Sequence, residues 1–397
     1  MSARIRRCPI MAGLLTIVIL INSSYAYSTV DDSWAIVLLG ISVPLLLLSS
    51  NKSGYRVNRG QFIALFLVVG FFISMLVNRE TAQLGAYARQ IFVILFAIIF
   101  VKKVNFVNFY QFYLHALDWL CIISLIYLFL YNAIGGLAIA SYTNGNNVTF
   151  DSIGLAVIQR NNPWRLCGPF WEPGIFASFI VIGMIYETYA TKESKRVART
   201  LLYLVSLAMT QSTAGYFLGA LALVMRFVST NSQKMGFAKK VLVYAGILIC
   251  FIFSTSLIEA AAYVLPGVFK KLTFGNYSMS TRISNPLIDL LLWKRAPFFG
   301  LGIRRYNMLW GGVAANYFVN SRTSTATYFL ATIGVFGLAY LVLLFRGGFH
   351  QNRISRTERI ILICVLLAIV TKEPHNLNVL MFIVILFFNS ARLREAS

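Results

Sequence analysis

Arg165 and Glu172 bracket the run Leu-Cys-Gly-Pro-Phe-Trp, and Pro173-Gly174-Ile175-Phe176 follows at the mouth of an apolar segment. A guanidinium stays charged and can grip phosphate oxygens two at a time. A carboxylate beside it can orient an acceptor hydroxyl or take its proton. Glu172 also suits a helix start, because proline is favoured at the first helical position and an acid there complements the helix dipole. The two roles are compatible. Trp164, Phe170 and Trp171 offer flat faces on which a sugar can stack, although an interfacial aromatic belt accounts for them more simply.

A second set of residues lies between about 259 and 324. Lys270, Lys271, Arg282, Lys294, Arg295, Arg304, Arg305 and Arg322 face only Glu259 and Asp289 in that stretch. Such an excess of cations suits an anionic substrate such as a lipid-borne pyrophosphate, or anionic headgroups. His375, in the short turn Thr371-Lys-Glu-Pro-His-Asn376, is the one histidine placed to act as a base with these groups near neutral pH. A plain turn histidine is the simpler reading of it.

These residues need a scaffold, and the composition says which kind. The chain has 397 residues, 58% hydrophobic and 12% charged, with mean hydropathy +0.72. A soluble chain carries about 25% charged residues. The deficit and the repeated apolar runs describe a polytopic membrane protein. The runs fall near 8–22, 33–49, 61–77, 88–101, 112–135, 170–190, 199–210, 213–228, 240–258, 325–345, 358–371 and 376–389. The expected fold is therefore all-α, with about twelve transmembrane helices in a single domain spanning 1–397 and two long external loops at about 132–168 and 259–324. The run at 10–21 resembles a signal sequence, but it reads better as a short, uncleaved first span. Leu287 to Trp293 is too short to span and reads as an interfacial or re-entrant helix beginning at Asn285-Pro286.

The net charge of +22 follows from topology rather than from nucleic acid. With both termini in the cytoplasm, the short cytoplasmic loops collect most of the 35 cations. The five cysteines give no disulfide framework. No Asp-x-Asp, P-loop or nucleophile elbow occurs, and no acid or histidine pair has convincing metal-ligand spacing. That argues against a nucleotide-driven pump and a cytoplasmic sugar-nucleotide transferase.

The stretch from Arg165 to Phe176 resembles the Arg-x-x-Gly-x-Phe-x-Glu-Pro-x-x-Phe signature of bacterial O-antigen and capsular polysaccharide polymerases. Thr210-Gln-Ser-Thr-Ala-Gly-Tyr216 resembles the Ser/Thr-Gly turn of the shared polymerase–ligase region. Ala296-Pro-Phe-Phe-Gly-Leu-Gly302 is similar to the family's Pro-x-x-Gly-x-Gly element in the large external loop. The resemblance covers roughly 150–390. It implies a membrane glycosyltransferase of GT-C-type architecture in the bacterial inner membrane that uses no metal or other cofactor. It implies undecaprenyl-pyrophosphate-linked glycans as substrates, release of undecaprenyl pyrophosphate, contact with membrane lipids and a chain-length regulator as partner. Carried onto this chain, the pyrophosphate-holding arginines are Arg165, Arg282, Arg304 and Arg305, with Arg322 beside them; Glu172 and His375 are the catalytic candidates. The related ligases carry a His-Asn pair where this chain has Ala326-Thr327, which leaves the base open and lowers the ligase alternative. The other alternative, a lipid-linked oligosaccharide flippase, would place its charges within the helices rather than in loops.

Overall fold

Apolar runs in which leucine, isoleucine, valine and phenylalanine dominate can satisfy their backbone groups in lipid only as helices. The computed structural model of the protein is accordingly 76% helical. It describes residues 3–22, 25–29, 33–48, 58–144, 147–189, 196–231, 277–317, 319, 322, 324–351, 354–391 and 393.

The first helices are α1 (Ala3–Asn22), α2 (Ser33–Leu48), α3 (Arg59–Val77), α4 (Leu84–Lys103) and α5 (Phe106–Ile134). Three strands follow: β1 (Ala140–Thr143), β2 (Thr149–Ser152) and β3 (Val157–Gln159). Next come α6 (Pro173–Tyr189), α7 (Arg196–Met209) and α8 (Thr213–Asn231). The later helices are α9 (Tyr277–Trp293), α10 (Ile303–Asn316), α11 (Thr325–Ile333), α12 (Leu338–His350), α13 (Arg356–Lys372) and α14 (Val379–Ser390). The expected span at 240–258 and the loop cations Lys270 and Lys271 lie outside the described residues.

Four described helices are long and apolar enough to cross a membrane: Arg59–Val77, Thr81–Lys103, Phe106–Ile134 and Thr325–His350. The last is interrupted by a 3-10 turn at Gly334–Gly337, which separates α11 from α12. Gly13–Asn22, Pro173–Tyr189, Val197–Met209, Thr213–Ser229 and Val379–Ser390 are shorter apolar helices. The chain is thus a helical membrane protein.

The outer helices show their lipid side by spacing. On α3, Phe62, Phe66, Val69, Phe72 and Leu76 are exposed, while Ala64, Leu67, Phe71, Ser74 and Met75 are buried. That is one apolar stripe outward and another inward. α6 has no outward stripe, since every residue from Pro173 to Tyr189 is buried. It packs against α5, α7 and α8. α14, buried from Val379 to Asn389, packs against α4 and α12. The two most apolar short helices are therefore the centre of the bundle, with their N-terminal ends beside the candidate chemistry.

Several charges inside the helices are paired. Arg199 donates to both oxygens of Asp118, at 2.8–3.0 Å. Arg226 meets Glu187 at 2.8 Å. At the start of α13, Ser355 and Glu358 form a reciprocal capping box, and Tyr189 donates to Glu358 at 2.7 Å. Buried charges persist where a partner offsets their desolvation.

Two expectations need correction. The chain is not all-α: the first long loop folds into an antiparallel sheet ordered β1-β2-β3, pairing Ala140 with Ser152 and Asp151 with Ile158. Thr, Tyr, Phe, Val and Ile dominate these short segments and favour strands, and Arg160 clamps the middle strand by binding Asp151 at 2.7 Å. The loop helix also begins earlier than Asn285-Pro286; α9 starts at Tyr277 and carries Pro286 inside it.

Candidate functional site

The Arg165–Phe176 stretch is stitched in place by its backbone. Leu166 N–H donates to the Met209 carbonyl at 2.9 Å, Val157 to Gly168 at 2.8 Å, and Ala26 to Pro169 at 2.9 Å. Gln211 Nε2 reaches the Trp164 carbonyl at 3.4 Å. The mouth is therefore fixed between the small sheet and the α7–α8 turn. Gly168 has φ +63°, and a Cβ there would stand 3.1 Å from the Phe176 ring.

Glu172 is the residue before α6, and its carbonyl accepts from Ile175 at 3.1 Å. Its carboxylate is half-buried and makes no hydrogen bond or ion pair among the described residues. Glu172 thus supports the helix start through its backbone and through the dipole, leaving both oxygens open. Arg165 is also half-buried, and its Nε is enclosed without a partner. The charges of Arg165 and Glu172 both act on the Cys167 thiol between them, whose pKa burial pushes up to about 12. That thiol stays protonated and is no nucleophile. Phe170 is not a sugar platform: it is fully buried and packs on Phe176 and Phe179, with ring centroids 5.7 and 5.0 Å away. Trp164 is exposed.

The end of α13 reaches the same place. Lys372 Nζ donates to Ser212 Oγ at 2.9 Å and approaches the Gly174 carbonyl at 3.4 Å and Glu373 at 3.6 Å. Gly174 is required by this approach, because a Cβ on it would lie 2.2 Å from a Glu373 carboxylate oxygen. Three stretches distant in sequence, at 165–176, 210–216 and 372–375, therefore meet around the start of α6.

His375 belongs to this junction but is not an open turn residue. It is fully buried, its Nδ1 lies 3.2 Å from Asn378 Nδ2, and its Nε2 has no partner among the described residues. Burial and the Lys372 charge pull its pKa down to about 3. The imidazole is neutral at physiological pH. The residue is a packed imidazole, not an open turn histidine, with one ring nitrogen in reserve.

The basic loop forms a second cluster. Pro297-Phe-Phe-Gly300-Leu-Gly302 docks on the end of α11, with Leu301 N–H on Ala331 at 2.9 Å and Gly302 N–H on Thr332 at 3.1 Å. Gly300 and Gly302 have φ +70° and +76°, and a Cβ on Gly300 would fall 2.3 Å from the Thr332 backbone. Glycine is demanded there twice over. α10 then begins on a cap from the α3–α4 connection. The buried Glu80 accepts from Arg304 N–H at 3.0 Å and Arg305 N–H at 2.9 Å, and from Tyr87 O–H at 2.9 Å. Arg304 and Arg305 are held by their backbones, while their side chains are exposed and unpartnered among the described residues. Nothing in the sequence singles out Glu80 for this task.

Arg322 lies over the rings of Tyr306 and Trp310, 5.4 Å from each centroid, and donates to Asn307 at 2.6 Å. Arg282 falls on α9, and its side chain lies outside the described residues. The two clusters meet at the start of α11. Thr325 Oγ1 donates to the Glu373 carbonyl at 3.2 Å and accepts from His375 N–H at 2.6 Å. Thr327, two residues further along α11, belongs to the basic cluster through Asp289 at 2.6 Å.

Among the described residues, no group of three or more His, Cys, Asp or Glu is placed to hold a metal ion. No family model, curated protein or solved structure matches the chain.

Proposed function

We propose that the protein is a membrane glycosyltransferase that polymerises undecaprenyl-pyrophosphate-linked oligosaccharide repeat units into O-antigen or capsular polysaccharide. The observation that carries the reading is the pair Arg304–Arg305, presented at a helix start with backbones anchored and guanidinium groups free. Arg322 sits on aromatic rings in the same cluster, and Arg165 and the open carboxylate of Glu172 lie at the other side of the α11 junction. Free guanidinium groups suit a pyrophosphate, and they offset its charge as it leaves. The energy resides in the sugar–pyrophosphate bond, so the protein has to position two glycans and stabilise the leaving group.

In this reading the architecture is of GT-C type, with about twelve spans in the bacterial inner membrane, both termini in the cytoplasm and the basic loop outside. The growing chain moves from its lipid carrier to the non-reducing end of a new lipid-linked unit. Surface polysaccharide from a deletion strain is the test. Single repeat units with long chains absent are expected. Repeats trapped on the cytoplasmic leaflet would instead mark a flippase, and long chains held on the lipid carrier would mark a ligase.

A further inference from the structure

Asp289 is a carboxylate of the basic cluster that faces inward and, unlike Glu80, holds no helix N–H groups among the described residues. It is 2% exposed, on a helix of loop composition rather than a span. Two hydroxyls from two other elements point at it: Tyr306 on α10 at 2.7 Å and Thr327 on α11 at 2.6 Å. Thr327 Oγ1 is also 2.6 Å from Ser324 Oγ. A hydroxyl has a single proton. Thr327 gives its proton to the carboxylate, so Ser324 supplies the proton of the second bond. Ser324 is the N-cap of α11, yet its side chain makes no capping bond. A capping hydroxyl that faces a neighbouring hydroxyl instead of the helix N–H groups is set up to pass a proton along the row Ser324–Thr327–Asp289. Arg322, two residues before Ser324, lies over Tyr306 and so brings a cation near the Asp289 end of that row.

We propose that Asp289 is the proton acceptor of the site, reached through the hydroxyls of Ser324 and Thr327. This rests on the glycosyl-transfer reading above. In the step, the acceptor hydroxyl oxygen bonds to the anomeric carbon of the donor as the bond from that carbon to the pyrophosphate oxygen breaks. The electron pair of that bond leaves with undecaprenyl pyrophosphate, whose charge the loop arginines offset. The acceptor proton moves to Ser324, the Ser324 proton to Thr327 and the Thr327 proton to Asp289.

Burial raises the Asp289 carboxyl to about 6, with the bonds from Thr327 and Tyr306 and the Arg322 charge pulling it back. Tyr306, Tyr328 and Arg322 are the titratable or charged groups coupled to it. α13 also packs on α9, and the charge acting on Asp289 among the described residues is that of Arg322. An acceptor must be ionised to work, so the rate rises as pH climbs through about 6.

The test uses the full chain in phosphatidylethanolamine–phosphatidylglycerol liposomes with lipid-linked repeat units, following polymerisation rate from pH 4.5 to 8. Asp289→Asn is expected to lower the rate by about 10²–10⁴, the usual weight of general base catalysis, and to remove the acid limb of the profile. Thr327→Val is expected to follow it, and Thr327→Ser to keep both the rate and the limb. This hydroxyl pair decides the matter even if Asp289→Asn does not fold. An Asp289→Asn protein with an unchanged acid limb, or a Thr327→Val protein at the wild-type rate, overturns the proposal alone. A wild-type protein that makes no polymer overturns the glycosyl-transfer reading and this proposal with it.

Discussion

Arg226 and Arg304 are the same residue type in opposite circumstances. Arg226 lies within the helices and meets Glu187 at 2.8 Å; Arg304 stands at a helix start with its side chain free among the described residues. The first is a half-buried guanidinium paired with a buried carboxylate, and the attraction offsets the desolvation of that carboxylate. The second has its backbone tied to Glu80, so its guanidinium is not needed to hold the fold. Pairing thus separates cations that maintain the bundle from cations available to a ligand. Loop position alone does not make this division, since Arg160 is in a loop and bound to Asp151.

Breaking an internal pair carries the largest expected cost. Arg226→Ala removes the cation paired with Glu187, which is 2% exposed, and should destabilise the protein by up to about 3–5 kcal/mol. Thermal unfolding in detergent measures it, and a melting curve unchanged from wild type would show that the pair is dispensable. The double change Arg304→Ala with Arg305→Ala is expected to leave that melting curve in place while lowering polymer formation about 10²-fold, the scale of losing a charge-stabilising group. Normal chain lengths in that variant would remove both residues from the site. Glu172→Gln sits between the two classes. Loss of an acid at the start of α6 should cost only about 0.3–1 kcal/mol through the helix dipole. Any larger fall in polymer at equal protein level then reports the chemistry of its open carboxylate, whereas wild-type polymer would leave only the dipole role.

Much of the scaffold was legible in the chain. The apolar runs announced the helices because lipid leaves a backbone few other ways to satisfy itself. The glycines of Pro297–Gly302 announced a tight element because only glycine accepts those positive φ values cheaply. The mouth at Arg165–Glu172 was legible as a helix entrance because Pro173 and an acid suit the first turn. The small sheet was missed, since strands of three or four residues flanked by polar turns carry little periodic signal beside long apolar runs.

The amino-acid sequence determined which residue types were present and which segments must be helical, because hydropathy and backbone hydrogen bonding are local properties. Tertiary structure alone decided which charges are spoken for. Glu80 lies far from Arg304 in sequence and caps its helix; Lys372 crosses to Ser212 and Gly174; Asp289 receives hydroxyls from Tyr306 and Thr327. His375, the histidine that sequence placed among the catalytic candidates, is enclosed and neutral for the same reason. Desolvation and pairing depend on what the rest of the chain brings within about 4 Å, and no local pattern encodes that.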